Sequence, residues 1–501
     1  MPKRKLIEQR DDFRGGLNTS VNPDKLNANE LVLATNARLL EPYGAIVKRT
    51  GTRRLHTTAI ASGADVLGLI QWDASTGKQI VAIAGGKLYH KIEAATNFTE
   101  VTPGGGDEFS TTAPTILVPF RDKDASAALV LYLASGGKMY KWTGSTLTRI
   151  DGTANAPTAT MLAAYHTRLF ARNSTKPKSL FWSKVGYGAD WAIGGITDGG
   201  EGLIDTLSGD EIITLEIIGG SLLVATKDSI VRFTGYSSDD IRIEQDTQGV
   251  SADIGVIGPL AWTRVARNAV VFVAPEGVFL ASEAEVMPIG LQIEVTLNDA
   301  NITAFPTMVV TKHQRRAEVW IAYPQTSGNK YMLVYSERLN CWMGPWIFPF
   351  DIYCMSRYVD SSGVERVMAG CGDGFVRLMD GDAYIKDDVT YDGTGGVAIP
   401  MTVELAPIFF ETGAGIEKSL RHIHIQASTY GCSLNVKHAF DSGSFTSTAV
   451  AAMATPIMQD FRLDVAGSGN RLRIQLYDES TSAYGPQING VMVTAYDMNR
   501  P

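Results

Sequence analysis

The chain has 501 residues, 45% of them hydrophobic and 20% charged. At roughly 150 residues per domain that length allows about two to four domains, and the composition excludes global disorder. A net charge of -8 excludes the strongly basic footprint of a protein that grips phosphate backbones. The 4 cysteines, Cys341, Cys354, Cys371 and Cys432, form no CxxC pair, the pattern of buried thiols folded in a reducing compartment. The basic start, Met1 to Lys5, runs into Glu8 and Arg10 without the apolar stretch of a signal peptide, and no run approaches the roughly 18 apolar residues of a membrane span.

Residues 1–60 are polar, with turn signals at Phe13-Arg14-Gly15-Gly16 and Asn22-Pro23-Asp24. Leu33, Ala37 and Leu40 recur at helical spacing behind an Asn cap, which predicts a short helix over Asn29 to Leu40. The segment is too poor in core residues to fold alone. It reads as an extended arm that wraps its own domain or a neighbour and orders on assembly, so deletion of Met1 to Asp24 is expected to leave a folded monomer.

Residues 61–396 repeat one form. Ile80 to Tyr89, with Gly85-Gly86-Lys87 at its centre, is echoed by Val130 to Tyr140 around Gly136-Gly137-Lys138. Looser copies cover Leu222 to Phe233, Val270 to Leu280 and Met368 to Leu378, and two further hairpin-like units cover Arg168 to Ser183 and Val319 to Trp342. Each is a strand, a tight turn and a strand. Spacings of roughly 40 to 55 residues suit propeller blades, so the region predicts a β-propeller of about six or seven blades. The first strand of each unit is continuously apolar, which suggests an inner blade strand covered on both faces between neighbouring blades. An irregular β-sandwich is the plainer alternative. Gly290 to Ala300 is the best internal helix candidate.

Residues 397–501 carry longer alternating strands, from Met401 to Phe410 through Gly490 to Tyr496, which predict a β-sandwich or jelly-roll-like domain. The whole is therefore all-β: arm, propeller, sandwich.

The chemistry search yields few candidates. Gly-x-Ser-x-Gly, phosphate-cradling Gly-Lys-Ser/Thr and His-Glu-x-x-His patterns are absent. His422 and His424 share a strand face, and His438 follows on the next strand, so a three-imidazole zinc site is conceivable; a solvated outer face is the commoner use. Asp380, Asp382, Asp387 and Asp388 supply oxygens of the kind calcium takes, without the ordered spacing of an EF-hand, and a solvated turn is the simpler expectation. Asp205, Asp210, Glu211 and Asp253 are the carboxylates a propeller hydrolase would use, and nothing sets them apart. Rings at Trp182, Tyr187 and Trp191, and at Trp342, Trp346, Phe348 and Phe350, suit glycan platforms, subunit contacts or core packing.

One order of features goes beyond these motifs. Phe13-Arg14-Gly15-Gly16-Leu17, Asn22-Pro23, Asn36, Gly44, Arg49 and Gly51, followed by Gly85 to Tyr89, Arg168 to Ala171 and Ser179 to Ser183, resembles the tail nozzle or hub proteins of short-tailed bacteriophages, also described as head-completion or DNA-stabilisation proteins. Thr50 departs from that pattern, which has Pro before the glycine. The resemblance implies a structural virion protein, assembled in the host cytoplasm. It would form a homo-oligomeric ring, a hexamer, that extends the DNA-ejection channel below portal and adaptor and docks needle, fibres or spikes. It implies passage of genomic DNA without specific binding, no enzyme activity, no catalytic residues, no metal and no cofactor. On this reading Phe13, Arg14, Gly15, Gly16, Pro23 and Arg49 are assembly contacts. A propeller that binds or cleaves glycans is the alternative from another class.

Overall fold

The computed structural model describes residues 5–497, apart from 42–43, 75–76, 104–107, 127, 153–154, 207–208, 236–240, 245–249, 284, 326–327, 382–385, 411–416, 454–456 and 480–484. Among these residues seven four-stranded antiparallel units follow one another along the chain. Six are sheets in their own right, and the seventh is the start of a larger sheet shared with the second domain. The first comprises Val66–Ala74, Gly77–Ala84, Lys87–Ile92 and Thr99–Val101. The innermost strands of the seven are Val66–Ala74, Thr115–Asp122, Ala159–Tyr165, Ile212–Ile218, Trp262–Ala266, Val309–His313 and Ile352–Val359. Each touches the next, and Ile352–Val359 returns to Val66–Ala74. The circle is closed, and the fold is a seven-bladed β-propeller.

The N-terminus closes it. In the last blade Ile352–Val359, Glu365–Cys371 and Val376–Gly381 come from the end of the propeller, whereas the outer strand is Gly51–Arg54 from before its beginning. Arg54 and Arg53 register with Arg377 and Leu378, tying the two ends of the circle through main-chain hydrogen bonds.

The repeated units of the sequence are the second and third strands of each blade, joined by the tight turn. Gly85 and Gly86 both have positive φ, 53° and 78°, the conformation a two-residue hairpin turn of the favoured hand requires. The continuously apolar strands are the second of each blade, inner strands covered on both faces by the neighbouring blades. A second strand is sandwiched between two neighbouring blades, while the innermost strand borders the axis. Ile80, Ala82 and Ala84 pack with Cys354, Met368 and Val376 of the last blade, and Val81 and Ile83 pack with Leu131, Leu133 and Trp142 of the second. Burying each large aliphatic side chain stabilises the circle by about 1.5–3 kcal/mol.

The second domain is a sandwich of two antiparallel sheets. One contains Ala37–Leu40, Ala45–Lys48, Gln487–Asp497, Lys418–Ser428 and Gln459–Gly469, with Lys5–Arg10 beside Gln487–Asp497. The other contains Glu30–Thr35, Met401–Leu405, Leu472–Asp478, Asn435–Phe440 and Thr446–Ala449, with Gly16–Leu17 parallel to Glu30–Thr35. This second sheet continues into the sixth blade, where Ala34 lies opposite Gly344 of Cys341–Ile347.

One expectation for residues 1–60 narrows and one changes. The described part of the segment is extended and, of the two alternatives, wraps its own chain: it is built into both domains, and Phe13, Leu17, Leu31, Ala34, Ala37, Leu39 and Ile46 are buried core. Its apolar residues are too sparse to make a core and sufficient to complete one. The helix over Asn29 to Leu40 is instead two strands, Glu30–Thr35 and Ala37–Leu40. Asn36 between them has φ 53°, which ends a helix and turns the chain from one sheet into the other. The helix within Gly290 to Ala300 forms at Glu294–Asn298. No helix among the described residues is long and apolar enough to cross a membrane.

Candidate functional site

Asn36, Arg49 and Gly16 lie where the sandwich meets the sixth and seventh blades. Arg49 is buried. Its Nε donates to Asn36 Oδ1 at 2.9 Å, its two terminal nitrogens reach the two carboxylate oxygens of Asp387, and one of them also donates to Ile347 O at 2.7 Å. The guanidinium carbon stands 4.3 Å from the ring centre of Phe348. Asn36 Oδ1 also accepts from Ile347 N at 2.8 Å, and Asn36 Nδ2 donates to Pro400 O at 2.8 Å. A planar, bidentate, stacked guanidinium is the use that arginine serves and lysine does not.

Beside it lies a second buried ionic group. Asp380 accepts from His313 Nε2 at 2.9 Å, from Arg316 at 2.8 and 3.0 Å, and from Thr50 Oγ1 at 2.6 Å. Burial pushes its carboxyl upward, but the hydrogen bond from His313 and the charges of Arg38 and Arg316 outweigh that and hold it well below the usual carboxylate range. Glu318 accepts from Arg38 at 2.9 Å and from Trp320 Nε1 at 2.9 Å. Thr50, the departure from the family pattern, is thus a working member of the network.

The Gly-Gly element is equally internal. Gly15 N donates to Asn29 O at 3.0 Å. A Cβ on Gly16, whose φ is +68°, would lie 2.5 Å from Trp342 O in the sixth blade. Phe13 is core, Arg14 is exposed and pairs with Asp12 at 2.7 Å, and Pro23 opens a single 3-10 turn whose Asp24 pairs with Arg471 at 2.7 Å. Of the six expected assembly contacts, Phe13 and Arg49 are buried within the chain, Gly16 is packed against the sixth blade and Gly15 is half-buried beside Asn29.

The metal expectations take other forms. Asp382 lies outside the described residues. Asp380 and Asp387 are buried with arginine partners rather than in a solvated turn, and Asp388 pairs with Arg54 and Arg377, each at 2.7 Å. His422 pairs with Asp464 at 2.8 Å on one sheet, whereas His438 belongs to the opposite sheet, so the three imidazoles are not brought together. Among the described residues no three His, Cys, Asp or Glu side chains are grouped as metal ligands.

The nominated carboxylates scatter. Asp205 and Asp253 are exposed on links between blades, and Glu211 pairs with Arg172 at 2.8 Å. Asp210 lies beside Asp228, whose carboxyl is pushed up by burial, by the hydrogen bond with Asp210 and by the charges of Asp210 and Glu276. The aromatic residues serve packing: Trp182 and Trp191 are buried, Trp346 Nε1 donates to Ala37 O at 2.8 Å, Trp342 Nε1 donates to Ile289 O at 2.7 Å, and Phe350 lies under Arg377 at 4.1 Å.

Several residues of this junction carried no signal by type alone. Arg38, Glu318 and Arg377 are buried charges. The one available cue is a charge inside an apolar run, as in Phe375-Val376-Arg377-Leu378-Met379.

The fold defines a seven-bladed propeller joined to a sandwich through a buried ionic junction. No family model and no curated protein matches the chain. Solved structures similar to it include the N-terminal domain of Nup159, 10% identical, covering 69% of this chain and 98% of that one with a TM-score of 0.42. BBS1N in complex with ARL6DN is 12% identical, covering 66% and 98% with a TM-score of 0.42. An exo-beta-1,3-galactanase from Phanerochaete chrysosporium with galactose is 9% identical, covering 87% and 99% with a TM-score of 0.26.

Proposed function

We propose that the protein is a structural subunit of a short-tailed phage tail, forming the nozzle or hub ring, a homohexamer, below portal and adaptor. The observation that carries this is the junction. Of the residues on which the resemblance rests, Arg49 forks onto Asp387, Asn36 bonds Ile347 N and Pro400 O, and Gly16 packs against Trp342, all at the meeting of sandwich and blades. Such a body transmits load between its domains without opening a sheet edge, which suits a part that resists the pressure of packaged DNA. On this reading the conduit for DNA is the lumen of the ring, between subunits. A net charge of -8 on each copy weakens phosphate attachment there.

The test is fractionation of virions. The chain should sediment with tail-bearing particles in a fixed copy number and stay inert toward bacterial surface glycans as a free protein. Absence from particles, together with saturable glycan binding or cleavage lost in Asp210→Asn, would replace this reading with the glycan-directed one.

A further inference from the structure

The innermost strands of the fourth to seventh blades end together on one face of the propeller, around an open cavity of about 840 Å³. Its wall carries Arg264, Arg267, Lys312 and Arg357 against Glu216 and Glu365. Two of the cations are already engaged: Lys312 stands 2.8 Å from Glu337 and Arg357 2.7 Å from Glu365. The Glu216 carboxylate accepts from its neighbour's amide, Ile217 N, at 3.0 Å. Arg264 feels Glu216 electrostatically, yet neither Arg264 nor Arg267 has a hydrogen-bonded or ion-paired carboxylate among the described residues, and both are exposed. Two guanidiniums without a carboxylate in a concave site, on a chain with net charge -8, mark a place where an anion gains bidentate contacts.

We propose that this mouth docks an acidic peptide segment of a partner protein, with Arg264 and Arg267 taking its carboxylates. The acidity of the chain selects the class. A continuous run of phosphates would be repelled by the net charge of -8 around the mouth, whereas a peptide spaces its carboxylates between neutral residues. The cavity has room for several side chains. The proposal stands on the mouth alone and is independent of the ring.

Fluorescence anisotropy on the full chain provides the test, with a short labelled peptide alternating Glu and Gly, a Lys-Gly counterpart and a single-stranded oligothymidylate of similar length. Saturable binding of the Glu-Gly peptide alone is expected, weakened at least about tenfold in Arg264→Glu/Arg267→Glu. Arg121→Glu, an exposed change on another innermost strand outside the cavity, should leave it unchanged, and matching thermal midpoints should show that all variants fold. The proposal is overturned if the Glu-Gly peptide does not saturate, if the double variant binds it as the parent does, if Arg121→Glu weakens it equally, or if oligothymidylate binds more tightly.

Discussion

Arg49 and Asp387, 338 residues apart, face each other as a buried bidentate pair, with one arm at 2.9 Å. The pair joins the strand that leaves the sandwich to the strand that follows the last blade, so one contact reports on the integrity of both domains. Removing one partner strands the other charge in the core. Arg49→Ala or Asp387→Asn is expected to cost about 3–5 kcal/mol, and Arg49→Lys should recover little because an ammonium cannot reproduce the fork or its stacking on Phe348. Arg49→Met/Asp387→Leu should cost less than the sum of the single changes. Urea unfolding of the four variants checks this, and additive costs would contradict it.

His56 is a buried neutral imidazole beside the closing strand. Its Nδ1–H donates to Thr58 O at 2.7 Å and its Nε2 accepts from Val376 N at 2.8 Å. Burial, helped by the charges of Lys91, Arg377 and Arg54, lowers its pKa to about 4. Because the folded value lies below the unfolded one, the unfolded chain binds more protons in between. Stability is full above about pH 6.5 and falls by about 3 kcal/mol as pH drops towards 4. His56→Gln should flatten that slope, measured by urea unfolding across the range. Hydrogen exchange at Leu55 N, which donates to Val376 O, should quicken over the same interval.

Asp380 adds a slope at lower pH. Its depressed carboxyl contributes stability above the unfolded value, about 3.9, and that contribution is lost as pH falls through the folded value. Asp380→Asn should lower stability at neutral pH and reduce the acid-limb slope below about pH 4. An unchanged acid limb would contradict the role assigned to the network.

The seven hairpins and the sandwich strands were legible because a strand between two blades must be apolar on both faces and several of the turns take positive φ at glycine. Val130 to Tyr140 displays both in eleven consecutive letters. Strand rank within the blade was not legible, since Val270 to Val273 reads alike at any position covered on two sides. The role of residues 5–54 was hidden for another reason. Their partners lie hundreds of positions away, as with Lys48 and Asp478 at 2.6 Å, and no local period records such pairings. The inward-facing contacts of Arg49 and Gly16 leave no local sequence signal either.

That inward role reverses the expectation for truncation. Deleting Met1 to Asp24 removes Lys5–Arg10 and Gly16–Leu17 together with the buried Leu6, Phe13 and Leu17. The shortened chain should lose several kcal/mol. Gly16→Ala, strained at φ +68° and pressed on Trp342 O, should lose about 1–3 kcal/mol. Chemical denaturation decides between this and an undiminished midpoint, which would return the segment to a free arm.

The four cysteines are free and buried, and burial pushes the Cys341 and Cys371 thiols up to about 12. Aromatic disulfide reagents should leave the native chain unlabelled and label all four thiols on unfolding. Rapid native labelling would show that the blades open locally.

The most direct measurement is an image reconstruction of tail-bearing particles in which this chain carries a small fused tag. Six tag densities in one ring around the channel below the adaptor are expected. Tags elsewhere on the particle, or particles without them, would contradict the account.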